Sequence, residues 1–319
     1  MNLIETQVAI KYLKDKFESL LAKKLNLIRV SAPLFVEEST GLNDNLNGVE
    51  EKVSFIVKDK KIEIVQSLAK WKRYALKDYN FPIDMGLYTD MNAIRKDEEM
   101  DNLHSIYVDQ WDWEKIISPE NRNKAFLFKV VRQIYGVIYK VAQISENKWG
   151  FAYNLPKNIT FISSKQLLKM YPDKTSKERE NLIAKDKRAV FIYQIGWPLK
   201  NNLPHDGRAA DYDDWNLNGD IILFDDAING AIELSSMGIR VNKESLVKQL
   251  ENKNELDKLN NPYCQAIMND ELPLTIGGGI GQSRLCMFYL QKQHIGEVQS
   301  SYWSEDIKKD ASGKGIKLL

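Results

Sequence analysis

Cysteine and histidine are scarce in this chain of 319 residues, which has two cysteines (Cys264 and Cys286) and three histidines (His104, His205 and His294). Two cysteines exclude a disulfide framework and a cysteine zinc site, and three scattered histidines make no metal cluster. Both cysteines sit beside apolar residues, in Pro262-Tyr263-Cys264 and Leu285-Cys286-Met287, which predicts buried, inert thiols. No apolar run approaches the length of a membrane span. The opening residues, Met1 to Lys11, mix charge with apolar side chains and lack a signal-peptide core, so the expected compartment is the cytoplasm. An excess of one charge is also missing. Lys plus Arg number 45 against 44 Asp plus Glu, and a net charge of +1 offers no bulk field for nucleic acid. What remains is an ordinary soluble balance, 43% hydrophobic and 28% charged, on a chain long enough for an ample core.

Periodicity marks the elements. Val8, Ile10, Leu13, Phe17, Leu20 and Leu21 recur at helical spacing, predicting a first helix to about Leu25, followed by a strand from Leu27 that runs into Pro33. Val53 to Gln66 alternates as two strands around a turn at Lys58-Asp59-Lys60. Ser118-Pro119-Glu120 reads as a helix start, with Leu127, Val130, Val131, Ile134, Ile138 and Val141 as its apolar face. Further helices are expected at Ser164 to Met170, Lys177 to Lys185 and Glu244 to Leu259. Ile221 to Phe224 and Ala231 to Leu234 read as strands around a turn at Asp225 to Gly230, and Ser300 to Leu319 as a polar tail. The mixture of hairpins and helices, with no repeat and no linker, predicts an α+β fold. It would be one domain over 1–319 with a central antiparallel sheet flanked by helices.

The run Thr275-Ile276-Gly277-Gly278-Gly279-Ile280-Gly281-Gln282-Ser283-Arg284-Leu285 is the most unusual segment. It fails the dinucleotide-binding pattern because Gln282 stands where the third glycine belongs, and Gly313-Lys314-Gly315 fails the phosphate-loop pattern. Glycines of this kind also serve simple close packing at a strand-to-helix turn. A glycine strand does, however, present a floor free of side chains on which a base or ribose can lie. A helix starting near Gln282 would bring the charge of Arg284 to that floor. The arrangement resembles motif 3 of the class II aminoacyl-tRNA synthetases, in which such an arginine holds ATP. Ala93-Ile94-Arg95, a short loop, and His104 to Glu114 resemble motif 2, in which an arginine at a strand end contacts the α-phosphate. Strand alternation there puts Ile106, Val108, Gln110 and Asp112 on one face. Leu25 to Phe35 resembles motif 1, the dimer-forming segment. The three stand in the family's order.

The hairpin of Asn218 to Gly230 and beyond carries acids. With a loop at Asp225 to Gly230, Asp220 would lie opposite Ser235 and diagonal to Glu233 on one face, their backbones about 7–8 Å apart, a separation that suits a shared hydrated Mg²⁺. Two solvated acids would be the plainer account. The class II enzymes for aspartate, asparagine and lysine have a similar acidic hairpin, and Arg240 matches an arginine that holds the substrate carboxylate in the aspartate enzyme.

Longer runs carry a closer resemblance. Asp44-Asn45-Leu46, Gln66 to Arg73, Tyr107 to Trp113, Ala210 to Trp215, Glu233 to Arg240 and Ile276 to Leu285 are similar to those of the bacterial ammonia-dependent asparagine synthetases, over about Val8 to Gln299. The resemblance implies ATP-dependent amidation of aspartate by ammonia, through a β-aspartyl-adenylate, with AMP and pyrophosphate released. ATP is then a substrate and Mg²⁺ a cofactor held by Asp220 and Glu233. Arg95, Gln110 and Arg284 are implied as catalytic, with Gly279 and Gly281 beside the nucleotide. Lys72 and Arg240 are implied for the α-carboxylate. Asp44, Asp112 and Asp213 are implied for the α-amino group or incoming ammonium, and Ser67 and Ser236 for substrate. Lys72 could equally belong to a solvated basic run, and Asp211, Asp213 and Asp214 to a loop cap. Motif 1 begins almost at Met1, leaving no room for an anticodon-binding barrel, so a homodimer without a tRNA partner is expected. A relative that passes aspartate to another amine, or a non-catalytic binder of ATP or an amino acid, stays open on these residues alone. Neither cysteine has the setting of a glutamine-cleaving nucleophile, so free ammonia is the expected nitrogen source.

Overall fold

A computed structural model describes residues 1–44, 46 and 50–319. Asn45 of the Asp44-Asn45-Leu46 run lies outside the described residues. In chain order the elements begin with α1 (Leu3–Leu25), β1 (Leu27–Arg29), β2 (Phe35–Glu37), β3 (Ser54–Val57), β4 (Lys60–Ile64) and α2 (Ala69–Asp78). Next come β5 (Gly86–Ile94), β6 (Tyr107–Ile116), α3 (Lys124–Trp149), β7 (Thr160–Ser163), α4 (Ser164–Met170) and α5 (Ser176–Lys187). The chain continues with β8 (Ala189–Tyr193), β9 (Asp213–Asp225), β10 (Gly230–Arg240) and α6 (Lys243–Lys253). It ends with α7 (Pro262–Met268), β11 (Thr275–Gly281), α8 (Gln282–Tyr289) and α9 (Glu305–Gly313).

An eight-stranded sheet in the order β1-β5-β6-β11-β10-β9-β8-β7 organises the molecule. Its six central strands pair antiparallel throughout, and only the outer pairs, β1 with β5 and β7 with β8, run parallel. The expected antiparallel sheet is thus present with parallel margins. One face is covered by α1, α3 and α8, whose Leu13, Phe17, Val131, Ile134, Ile138 and Leu285 share a core with Trp111, Trp113 and Met237 from the strands. Phe17 stacks on Trp111 with ring centroids 4.8 Å apart. Because side chains alternate along a strand, burying Trp111 and Trp113 in that core turns Gln110, Asp112 and Glu114 to the other face. A small three-stranded sheet, β2-β4-β3, stands apart from the large one.

Local chemistry explains most boundaries. Asn2 caps α1 and forms a capping box with Glu5. Ser118-Pro119 starts only a short 3₁₀ turn, Pro119–Asn121, and α3 begins at Lys124 because Asn123 accepts from the Phe126 amide at 2.9 Å. Every residue of the apolar face expected for that helix is buried. The charged helix after β10 stops at Lys253, where Asn254 turns left-handed, so its expected extension to Leu259 is not made. Val8 is exposed, unlike the other expected apolar positions of α1, and Leu20 only half-buried. The segment after Ser300 is more than a polar tail. It contains α9, and Trp303 is buried against His294 with ring centroids 4.8 Å apart.

The hairpin of β9 and β10 is longer than its apolar runs suggested and carries a register shift between Glu233 and Ser235. Glu233 pairs with Ile222 as expected, but Asp220 lies opposite Ser236 rather than Ser235. The extra residue switches the parity of β10. Ile232 and Leu234 face the helical core before the shift, and Met237 and Ile239 after it, so Glu233, Ser236 and Arg240 all turn to the opposite face.

At the hairpin's turn Asp225 is buried. Its Oδ1 accepts from the Ala227 amide at 2.9 Å, and among the described residues Oδ2 has no hydrogen-bond partner. Burial pushes this carboxyl up to about 6. A carboxyl with a raised folded value weakens the fold as pH climbs through the unfolded and then the folded pKa. Asp225→Asn keeps an acceptor for Ala227, so it is expected to stabilise the protein by roughly 1–3 kcal/mol at pH 8 and not at pH 3. Urea titrations of both proteins at the two pH values check this, and equal stabilities at pH 8 would count against it.

Candidate functional site

A cavity of about 400 Å³ opens on the sheet face away from the helical core. Strand β6 contributes Gln110 and Asp112, β10 contributes Glu233, Ser236 and Arg240, and β11 contributes Gly279 and Gly281. Arg95 enters just past the end of β5, Arg284 from the first turn of α8, Lys72 from α2 and Ser67 just before α2. Asp44 and Asp213 complete the expected set on the wall. Asp220 alone stands behind the lining, joined to it by an ion pair with Arg208.

Glycines in β11 make room for charge. A Cβ on Gly277 would stand 1.8 Å from Glu114 Oε2 and 2.7 Å from an Arg240 nitrogen, and one on Gly279 would stand 2.1 Å from Gln110 Oε1. The floor expected to be bare is therefore bare only in part. At Gly277 it is filled by the side chains of Glu114 and Arg240, which lie across the strand.

These side chains build a buried ionic cluster. Arg240 uses Nε and Nη2 on the Glu114 carboxylate, at 2.9 Å and 2.7 Å, and Nη1 on Asp213 Oδ1 at 2.5 Å. Among the described residues this leaves two of its five N–H donors for a ligand. Lys72 contacts Asp112 and donates to the carbonyls of Trp113 at 3.0 Å and Gly278 at 3.3 Å. Its Nζ stands 3.6 Å from Glu114. With a side chain 1% exposed, Lys72 belongs to no solvated run. Burial pushes the Glu114 carboxyl up, but Arg240 and then Lys72 pull it down further, so the net direction is lower. For Asp213 burial dominates and the net direction is upward despite Arg240. Of the three acids Asp211, Asp213 and Asp214, Asp214 caps locally, its Oδ1 accepting from the Asn216 amide at 2.9 Å, and all three form ion pairs. They take Lys70, Arg240 and Arg122 respectively.

The two arginines expected at phosphate are differently placed. Arg95 Nη2 donates to the Gln66 carbonyl at 3.4 Å and Arg284 Nη1 to the Glu233 carbonyl at 3.2 Å. Carbonyls leave the cationic charge uncancelled, and among the described residues neither guanidinium has an ion pair, so both remain available to an anion. Asp44 is buried against the wall. Its Oδ1 accepts from the Leu46 amide at 3.0 Å, and Oδ2 has no partner among the described residues. Burial, partly offset by Lys70, pushes its carboxyl up to about 6.

Asp220 is also buried, and its Oδ1 has no hydrogen-bond partner among the described residues. Burial pushes its carboxyl up to about 8, opposed by Arg208 and reinforced by Glu233. Sequence reasoning missed Glu114 and Arg208. Glu114 was within reach, two residues beyond Asp112 on the same strand face. Arg208 sits in an irregular segment before β9 where no periodicity marks it. Both cysteines are buried as expected, and burial pushes each thiol up to about 12, far from a nucleophilic thiolate.

Known proteins share both the sequence and the fold. The family profile described as aspartate-ammonia ligase matches residues 4–315. The aspartate–ammonia ligase of Mycoplasmoides gallisepticum is 54% identical, covering 100% of this chain and 99% of that protein. That of Lactiplantibacillus plantarum is 55% identical over 95% of each. Among solved structures, asparaginyl-tRNA synthetase from Pyrococcus horikoshii complexed with asparaginyl-adenylate superimposes with a TM-score of 0.68 at 15% identity. It covers 92% of this chain and 68% of the synthetase. An aspartyl-tRNA synthetase from Entamoeba histolytica gives 0.60 at 13% identity, over 92% of this chain and 58% of that one. These two likenesses concern the catalytic-core fold.

Proposed function

The chain belongs to the aspartate–ammonia ligase family, and on that premise we propose how its cavity joins ammonia to aspartate. One observation carries the reading. Two guanidinia bonded to carbonyls adjoin, in one cavity, a wall of Lys72, Asp112, Asp213 and Arg240 backed by the fully buried Glu114, a cluster in which three carboxylates outnumber two cations. The first part suits a nucleotide phosphate. The second, with one surplus carboxylate and two N–H groups left on Arg240, suits the ammonium and α-carboxylate of an amino acid.

In this reading the side-chain carboxylate of aspartate attacks the α-phosphorus of ATP, and pyrophosphate leaves. Arg95 and Arg284 stabilise the charge that builds on the phosphorus oxygens. Gln110 and Ser67 orient the attacking carboxylate, Ser236 lies against the substrate, and Gly279 and Gly281 flank the nucleotide. Ammonia then attacks the acyl carbon and AMP leaves. Ammonium must first lose a proton. Asp112 and Asp213 already hold Lys72 and Arg240, whereas Asp44 has one oxygen without a partner among the described residues and a carboxyl raised to about 6, so Asp44 suits that proton best. Inert cysteines favour free ammonia over glutamine as the donor.

Asp220 and Glu233 fit a divalent cation. Asp220 is a buried carboxylate with an orphaned oxygen, and Glu233 is the neighbour that raises its carboxyl. A Mg²⁺ held there would supply electrophilic stabilisation of phosphate oxygens.

The test is the fate of ATP. With aspartate and ammonium, the expected nucleotide product is AMP, with pyrophosphate in equal amount. ADP and phosphate would remove the adenylate route.

We also propose a homodimer, working as one catalytic unit per chain in the cytoplasm without a tRNA partner. The net charge of +1 gives no general attraction for a phosphate backbone. Ile28 on the edge strand β1 is exposed, as are Leu34, Phe35 and Ile56 nearby in sequence or on the small sheet, an apolar set that a second copy would cover. Sedimentation at micromolar concentration should return twice the chain mass. A fully active monomer would contradict it.

A further inference from the structure

The hydrogen bonds of Asp109 give it a task that the chemistry above does not use. We infer that Asp109 is a positioning residue for Arg284, acting on the ATP side of the site. This rests on the reading of Arg284 as a phosphate contact. Asp109 is a carboxylate with an 8% exposed side chain on β6, immediately before Gln110. Four donors converge on it. Oδ1 accepts from the Ser283 amide at 3.1 Å and from Gln299 Nε2 at 3.1 Å. Oδ2 accepts from the Ser283 hydroxyl at 2.8 Å and from Lys14 Nζ at 3.0 Å. Gln299 also donates to the Ser283 hydroxyl at 3.2 Å, closing the network.

Ser283 is the residue before Arg284, in the first turn of α8. That helix opens after Gly281, which has no side chain to satisfy the free amides of the first turn. Asp109 supplies the missing acceptor from another strand, and its negative charge sits where the helix favours one. Lys14 of α1 balances that charge. One carboxylate therefore pins the first turn of α8 to the strand that carries Gln110, and holds the root of Arg284 relative to the reacting carboxylate. The aspartate-binding cations are fixed elsewhere, Lys72 by Asp112 and Arg240 by Glu114 and Asp213.

Displacing a phosphate-holding group by an ångström is enough to cost about 10²-fold. Steady-state kinetics on Asp109→Ala, Asp109→Asn, Lys14→Met and Arg284→Ala, each with a melting curve, test the inference. For Asp109→Ala we expect KM for ATP to rise about 10-fold or more while KM for aspartate stays within about two-fold. Asp109→Asn should recover part of the loss, because its Oδ1 still accepts from Ser283 and Gln299. Lys14→Met should shift the same constant less. Equal rises for both substrates, or a loss that only tracks a lower folded fraction, would overturn the assignment. So would an unchanged KM for ATP in Asp109→Ala beside an impaired Arg284→Ala. An Arg284→Ala enzyme with normal ATP kinetics would instead remove the reading of Arg284 and the inference with it.

Discussion

Glu233→Gln is expected to lower kcat by about 10²–10³ while the protein melts as the parent does. Glu233 forms no ion pair among the described residues and is half-buried on the cavity wall, so the amide replaces it without stranding a partner. What is lost is negative charge beside Asp220, and with it one of the two carboxylates proposed to hold Mg²⁺. The Mg²⁺ concentration for half-maximal rate should rise together with the fall in kcat. Asp220→Asn should lose rate to a similar extent, but its melting behaviour differs, because Arg208 then keeps only Asp206, at 3.2 Å. Unchanged turnover and an unchanged Mg²⁺ requirement in Glu233→Gln would return both acids to a purely structural role.

Removing Arg240 should carry the largest stability effect in the site. Its partners are buried, the Glu114 side chain 0% and the Asp213 side chain 4% exposed. Arg240→Met leaves both without their guanidinium, which is expected to cost about 3–5 kcal/mol, since an orphaned buried charge is far more costly than a missing pair. The double variant Arg240→Met/Glu114→Gln should lose less than the two single losses added together, by about 0.5–3 kcal/mol, because the stranded carboxylate is removed with its partner. Urea unfolding of the three variants measures the coupling. A single loss below about 1 kcal/mol, with additive singles, would show that water replaces the arginine. In any variant that still folds, KM for aspartate should rise more than KM for ATP, because the two spare N–H groups of Arg240 are proposed to face the amino acid.

Much of this molecule is legible in its amino-acid sequence. The apolar face of α3, the turn between β3 and β4, and the glycine strand running into the Arg284 helix all follow from periodicity and local chemistry, because neighbours along the chain decide them. The motif order likewise points to the fold, and the residues drawn from those motifs line one cavity with Asp220 just behind. Boundaries are less secure where two capping signals compete. Ser118-Pro119 looks like a helix start, yet Asn123, five residues on, has the side chain that caps α3. The parity switch in β10 cannot be read from the chain either. It depends on which strand lies on each side, and it decides that Glu233, Ser236 and Arg240 share a face.

Charge divides the local from the tertiary most sharply. Composition alone tells which acids and bases are available and that their totals nearly balance, at +1 over the whole chain. It could not say that Lys72 is buried on Asp112, that Glu114 rather than a ligand holds one edge of Arg240, or that Arg208 reaches Asp220. Those pairings join residues 12, 40 and 126 positions apart, and only the packed sheet brings them within a hydrogen bond. Burial then sets their strength. Burial pushes the carboxyls of Asp44 and Asp220 upward, where Lys70 and Arg208 offset it only in part, whereas at Glu114 Arg240 and Lys72 together outweigh burial and hold the carboxyl down.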